Sequence, residues 1–119
     1  MRKISWLFFI PIFIMTASIS AQKSTIYTHY SKDFNRAVSL FKDAQYASAQ
    51  LIFNKVKEAA TTEELKSDCA YYAANCAIRT NQSNADELME QFVSDYPTSV
   101  KQNQAYIEVA HYHFNQGNF

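Results

Sequence analysis

From Ser31 onward the apolar residues recur three and four positions apart, the spacing that lines one face of an α-helix. Phe34, Ala37, Val38, Leu40 and Phe41 predict a first helix over about 31–44. Ala49, Ile52, Phe53 and Val56 predict a second, starting near Tyr46. Leu65, Cys69, Tyr72, Ala73 and Cys76 mark a third that runs to about Thr80, with Thr61 and Glu64 spaced as a capping box at its start. The polar turn Asn81 to Asn84 leads into a fourth, whose first turn holds Asp86 and Glu87, where the helix dipole favours acids. Its apolar face is Leu88, Met89, Phe92, Val93 and Tyr96, and Pro97 ends it. Thr98 and Ser99 predict the cap of a fifth helix, with Gln102 three residues after Ser99. That helix runs to about Gln116, and Gly117 supplies a left-handed stop. The stretch 22–30, QKSTIYTHY, is a β-branched and polar mixture without helical period and predicts an extended lead-in. One glycine and two prolines leave almost no turn chemistry for a sheet, so the fold class is all-α.

The first 21 residues have a different pattern. Arg2 and Lys3 precede an apolar run from Ile4 to Met15, which small residues follow up to Ala21. That order is the order of a secretory signal peptide. As a helix the run would reach only about 18 Å, against a bilayer core of about 30 Å, and Pro11 interrupts it. Cleavage is expected between Ala21 and Gln22, and the absence of a cysteine there excludes a lipoprotein anchor. The expected location is therefore outside the cytoplasm, with only indirect membrane association. The formal net charge of the whole chain is zero, and loss of Arg2 and Lys3 leaves it slightly acidic. Without a basic stripe, nucleic-acid binding has no support.

The helical pattern repeats. Cys69-x-x-Tyr72-Ala73-x-x-Cys76 is followed by Ala85-x-x-x-Met89-x-x-Phe92 and Pro97. An earlier stretch reads Asp33-x-x-Arg36-Ala37-x-x-Leu40 and then Ala49-x-x-x-Phe53-x-x-Val56. The tail gives Tyr106-x-x-Val109-Ala110-x-x-His113, with Gly117 and Phe119 at the turn positions held by Ala44 and Tyr46. The small residues Ala37, Ala73 and Ala110 stand 36 and then 37 positions apart. Alanine there allows close approach of two helices, while the large positions fill the space between pairs.

Over residues 31–119 this spacing resembles the tetratricopeptide repeat family, which implies antiparallel helix pairs stacked into a right-handed solenoid. Two pairs are whole and a third is half present, so the sequence reads as an N-terminal piece truncated inside a repeat. Tyr96-Pro97-Thr98-Ser99, followed by Ala110, Phe114, Gly117 and Phe119, is similar to exported bacterial repeat proteins of the BamD and Tol-Pal-coordinator type. The aromatic first repeat after Ala21-Gln22 is also similar to Bacteroidetes envelope repeat proteins. The resemblance implies a concave groove lined by the first helix of each pair. The residues that fall at its positions are Phe34, Val38, Phe41 and Lys42, then Ala74 and Ile78 (with Ala70 and Ala77), then Ile107, His111, Phe114 and Asn115. On this assignment Ala73 holds a close-approach slot and Ala74 faces the open groove.

Other chemistry is sparse. Cys69 and Cys76 lie about 10.5 Å apart along one helix, too far for a disulfide, and take packing positions. His111 and His113 are two apart and point about 200° away from each other, so one helix cannot aim both at one metal ion. No Gly-rich phosphate loop, HExxH sequence or nucleophile signature is present. The expectation is a chain with no enzyme activity, cofactor or metal. It would bind a protein or peptide partner, with self-association through the open face of the last helix as a further possibility. The implied function is that of a periplasmic scaffold in outer-membrane or envelope assembly. The alternative is the sensory N-terminal region of a longer membrane signalling protein carrying a kinase or regulator domain.

Overall fold

The computed structural model describes the backbone of residues 19–117 and the side chains of 30–117. The leader over 1–21 thus lies outside the described residues except for its last three, and so does Phe119. Among the described residues there are five helices and no strand: α1 (Ile19–Lys42), α2 (Tyr46–Ala59), α3 (Glu63–Arg79), α4 (Ala85–Asp95) and α5 (Gln102–Asn115). The extended lead-in expected over 22–30 is corrected. That stretch belongs to α1, which starts at Ile19. No glycine or proline interrupts 19–42, so adding each residue to the helix costs only a small propensity penalty once the helix is nucleated. Among the described residues no helix is long and apolar enough to cross a membrane.

Two helix starts also differ from expectation. Thr62, not Thr61, caps α3, its hydroxyl oxygen accepting the Leu65 amide at 3.3 Å. α5 begins after Lys101, while Ser99 Oγ accepts the Lys101 amide within the preceding turn. Gln102 does not act through a capping box. Its side-chain amide donates to the carbonyls of Val93 and Tyr96 and so ties the start of α5 to the end of α4.

Consecutive helices pack on each other, and α5 also reaches α3. The aromatic pairs show the direction of the first hairpin: Phe41 meets Tyr46 at 5.3 Å and Phe34 meets Phe53 at 5.8 Å. As one number falls the other rises, so α1 and α2 run antiparallel. Three helices stop in the same way. Ala44, Asn81 and Gly117 all have positive φ, at 59°, 58° and 72°. After α1 the Gln45 amide reaches back to Leu40, and after α3 the Gln82 amide reaches Ala77, the six-to-one bond of a Schellman motif.

The core forms two clusters that share Tyr72. The first gathers Ala37, Ala49, Phe53, Val56, Cys69, Ala73 and Cys76 from α1, α2 and α3. The second gathers Tyr71, Ala74, Met89, Phe92 and Ala105 from α3, α4 and α5. α3 stands in the middle with eight buried residues, whereas α5 has Ala105 alone. Small side chains on α3 let its neighbours approach from several sides at once.

Candidate functional site

The residues assigned to a groove fall into three groups. Phe34, Val38 and Phe41 are half-buried against the first cluster, and Lys42 is exposed at the end of α1. Phe34 meets Tyr72 at 6.1 Å and Phe41 meets it at 5.4 Å, so these side chains are mainly packing groups with one edge in solvent. Ala74 is 1% exposed, inside the second cluster with Met89, Phe92 and Ala105. Its placement on an open groove is corrected, because α4 and α5 both pack across this part of α3. Ala77 is fully buried as well.

Ile78, His111 and Asn115 do come together. With Arg79, Glu108 and Tyr112 they surround a depression of about 210 Å³ between α3 and α5. Ile107 and Phe114 lie elsewhere on α5, 49% and 67% exposed. Together with Tyr106, 59% exposed, and Ala110 they make an apolar stripe, since residues three, four and seven apart share one side of a helix. The equivalent alanines of the earlier helices, Ala37 and Ala73, are covered by packing, whereas Ala110 is exposed.

A polar seam between α3 and α5 was not anticipated from the sequence. The Asn75 amide donates to the Tyr71 hydroxyl at 3.3 Å, and Arg79 Nε donates to Asn75 Oδ1 at 3.4 Å. Arg79 in turn lies 4.0 Å from Glu108. At the other end Lys101 Nζ pairs with Asp68 at 3.2 Å and sits 5.8 and 5.7 Å from the ring centroids of Tyr71 and Tyr72. Burial raises the Tyr71 phenol above its ordinary value, with Glu108 adding to the effect. The signal that could have found this seam is the i, i+4 ladder of hydrogen-bonding side chains Tyr71, Asn75 and Arg79 on a helix whose other residues are small.

Cys69 and Cys76 are free and fully buried. Burial pushes both thiols up to about 12, so the nucleophilic thiolate is scarce at neutral pH. Among the described residues no group of three or more His, Cys, Asp or Glu side chains is placed to hold a metal ion. Comparison with protein-family models, curated proteins and solved structures found no match.

Proposed function

We propose that the chain is a non-catalytic helical-repeat scaffold that binds a protein partner in the cell envelope after export. One observation carries the reading. α5 repeats the Ala-centred pattern of α1 and α3, yet its Tyr106, Ile107, Ala110 and Phe114 stay open where the earlier helices are covered. An exposed apolar stripe flanked by polar residues is the usual surface for another helix or an apolar peptide. The shared left-handed stops at Ala44, Asn81 and Gly117 support the tetratricopeptide-like arrangement.

The test is site-specific photocrosslinking in the native host, with p-benzoylphenylalanine at Phe114 and, as control, at Leu51, which is 74% exposed on α2. A discrete adduct with one envelope protein from position 114 and none from position 51 is expected. Adducts from both positions alike would remove the basis for this surface. Mass spectrometry of the same material should show a chain starting near Gln22, and an intact Met1 in the envelope fraction would contradict export by cleavage.

A further inference from the structure

Counted back from their left-handed stops at Ala44, Asn81 and Gly117, α1, α3 and α5 match position by position. Ala37, Ala74 and Ala110 each stand seven residues before the stop, so on this count the α3 counterpart of Ala37 is Ala74, one residue on from Ala73. Ten residues before the stop come Phe34, Tyr71 and Ile107, and three before it come Phe41, Ile78 and Phe114. Positions ten, seven and three share one side of a helix.

On α1 and α3 that side holds the helix that follows. Ala37 is buried with Ala49 and Phe53 of α2, and Ala74 with Met89 and Phe92 of α4. The ring ten residues before the stop meets a phenylalanine of the returning helix edge-on in both pairs. Phe34 meets Phe53 at 5.8 Å and 68°, and Tyr71 meets Phe92 at 5.6 Å and 63°. Both covering helices carry a buried small residue and two buried large ones at one spacing, Ala49-x-x-x-Phe53-x-x-Val56 and Ala85-x-x-x-Met89-x-x-Phe92. On α5 the same side is in solvent: Ile107 is 49% exposed, and Ala110 is exposed beside it.

The other side of α5 agrees. Cys69 and Ala73, twelve and eight residues before the stop of α3, pack into the cluster shared with α1 and α2. Ala105 and Val109, at the same two positions of α5, pack into the cluster shared with α3 and α4. α5 therefore docks on the preceding pair as α3 does. Its open face continues that interface, at the positions where α3 receives α4.

Resting on the partner-binding reading above, we propose that this face receives one amphipathic α-helix of a partner protein. That helix runs antiparallel to α5 and carries the small-x-x-x-large-x-x-large pattern of α2 and α4. Its apolar side lies against Ala110, and one of its large side chains covers Ile107.

The experiment uses the purified chain as its host produces it and a fluorescein-labelled peptide with the sequence of residues 45–60, which spans α2. Saturable binding, read by anisotropy, is expected. Phe53→Ala with Val56→Ala in the peptide should weaken it roughly tenfold, and so should Ile107→Glu in the chain. Ala110→Leu separates a fitted helix site from a merely apolar surface. It should weaken binding by about tenfold, because the added bulk fills space that the helix needs, whereas an unspecific surface would bind more tightly. A nitroxide on the first residue of the peptide should broaden the amides of residues 114–117 most, and one on its last residue those of 101–104. No binding to the chain, unchanged affinity after Ile107→Glu, tighter binding after Ala110→Leu or the reverse order of broadening would each overturn the proposal. So would a chain that is already a dimer and becomes monomeric on Ile107→Glu, since a second copy then covers the face. A discrete crosslink from position 114 without peptide binding would remove this inference and leave the scaffold reading standing. Peptide binding without any crosslink would do the opposite.

Discussion

The ring of Tyr72 stacks on that of Phe53, with centroids 5.0 Å apart and planes 8° from parallel. Phe34, Phe41 and Tyr71 meet the same tyrosine edge-on, at 6.1, 5.4 and 5.5 Å. One side chain of α3 thereby joins α1, α2 and both core clusters. Tyr72→Ala should lower stability by about 2–4 kcal/mol, since it removes a large ring and leaves a cavity among rigid neighbours. Tyr72→Phe should change it by less than about 0.5 kcal/mol, because the ring and not the hydroxyl makes the contacts. Urea melts of the two variants test this, and equal midpoints would show that the ring cluster is unimportant.

The three pattern-related alanines, Ala37, Ala73 and Ala110, and the neighbouring Ala74 should separate under a change to leucine. Ala37→Leu, Ala73→Leu and Ala74→Leu each force volume into filled space, at a cost of about 1–3 kcal/mol. Ala110→Leu adds bulk to an exposed site and should stay within about 0.5 kcal/mol. Thermal midpoints of the four variants decide it. A large loss at Ala110 would mean that α5 is covered in solution.

Ala44 holds a left-handed conformation, φ 59°, that suits glycine. Ala44→Gly should relieve that strain and, after the added freedom of the unfolded chain, raise stability by about 0.5–1 kcal/mol. The same change at exposed Ala47, inside α2, should lower stability by about 1 kcal/mol. Chemical denaturation of both variants provides the comparison.

The buried thiols set a limit on the alkaline side. Cys69 and Cys76 lose protons near their ordinary value when unfolded but only near about 12 when folded. The unfolded state therefore binds fewer protons between those values, and stability is retained below about pH 9 and falls as pH rises towards 12. Replacing both by alanine costs packing at neutral pH but should make the alkaline loss shallower. Equal slopes in melts from pH 8 to 11 would count against the thiols as its source. Native protein should also react slowly with a thiol reagent at pH 8 and quickly in urea.

Helix existence was legible in the sequence because Phe53, Val56, Met89 and Phe92 are large, apolar and correctly spaced. The stops were legible because Pro97 and Gly117 act locally. The start of α1 was not, since β-branched Thr25 and Ile26 weaken a helix only slightly and nothing breaks it. The burial of Ala74 was also hidden. Alanine has so small a side chain that it fits a tight helix contact or an open face equally well, and only the placement of α4 and α5 decides which. Polar residues misled in a similar way. Asn75 is 2% exposed, but its type is that of a solvent-facing residue; its partners Tyr71 and Arg79 were legible as an i, i+4 ladder on α3, whereas the pairing of Arg79 with Glu108 depends on where α5 lies.

The turn at Asn81 and Gln82 has a mechanical consequence. Gln82 exchanges two amide hydrogen bonds with Gln50 of α2, at 2.7 and 3.2 Å. Its carbonyl accepts from the Tyr112 hydroxyl at 3.3 Å, and Asn81 Oδ1 accepts from the Gln116 amide at 2.7 Å. All of these links are uncharged, so the turn is a pivot that salt cannot loosen. The opposite end of α5 meets α3 through Lys101 and Asp68, a pair that ions screen over about 10 Å at 0.1 M salt. Ionic strength should therefore loosen the Lys101 contact with α3, while the Gln102 amide keeps the start of α5 on α4. Hydrogen exchange in high salt should speed up around Gln104 to Glu108 and leave Tyr112 to Gln116 unaltered. The seating of α5 on α3 would then respond to ions at one end and be indifferent to them at the other.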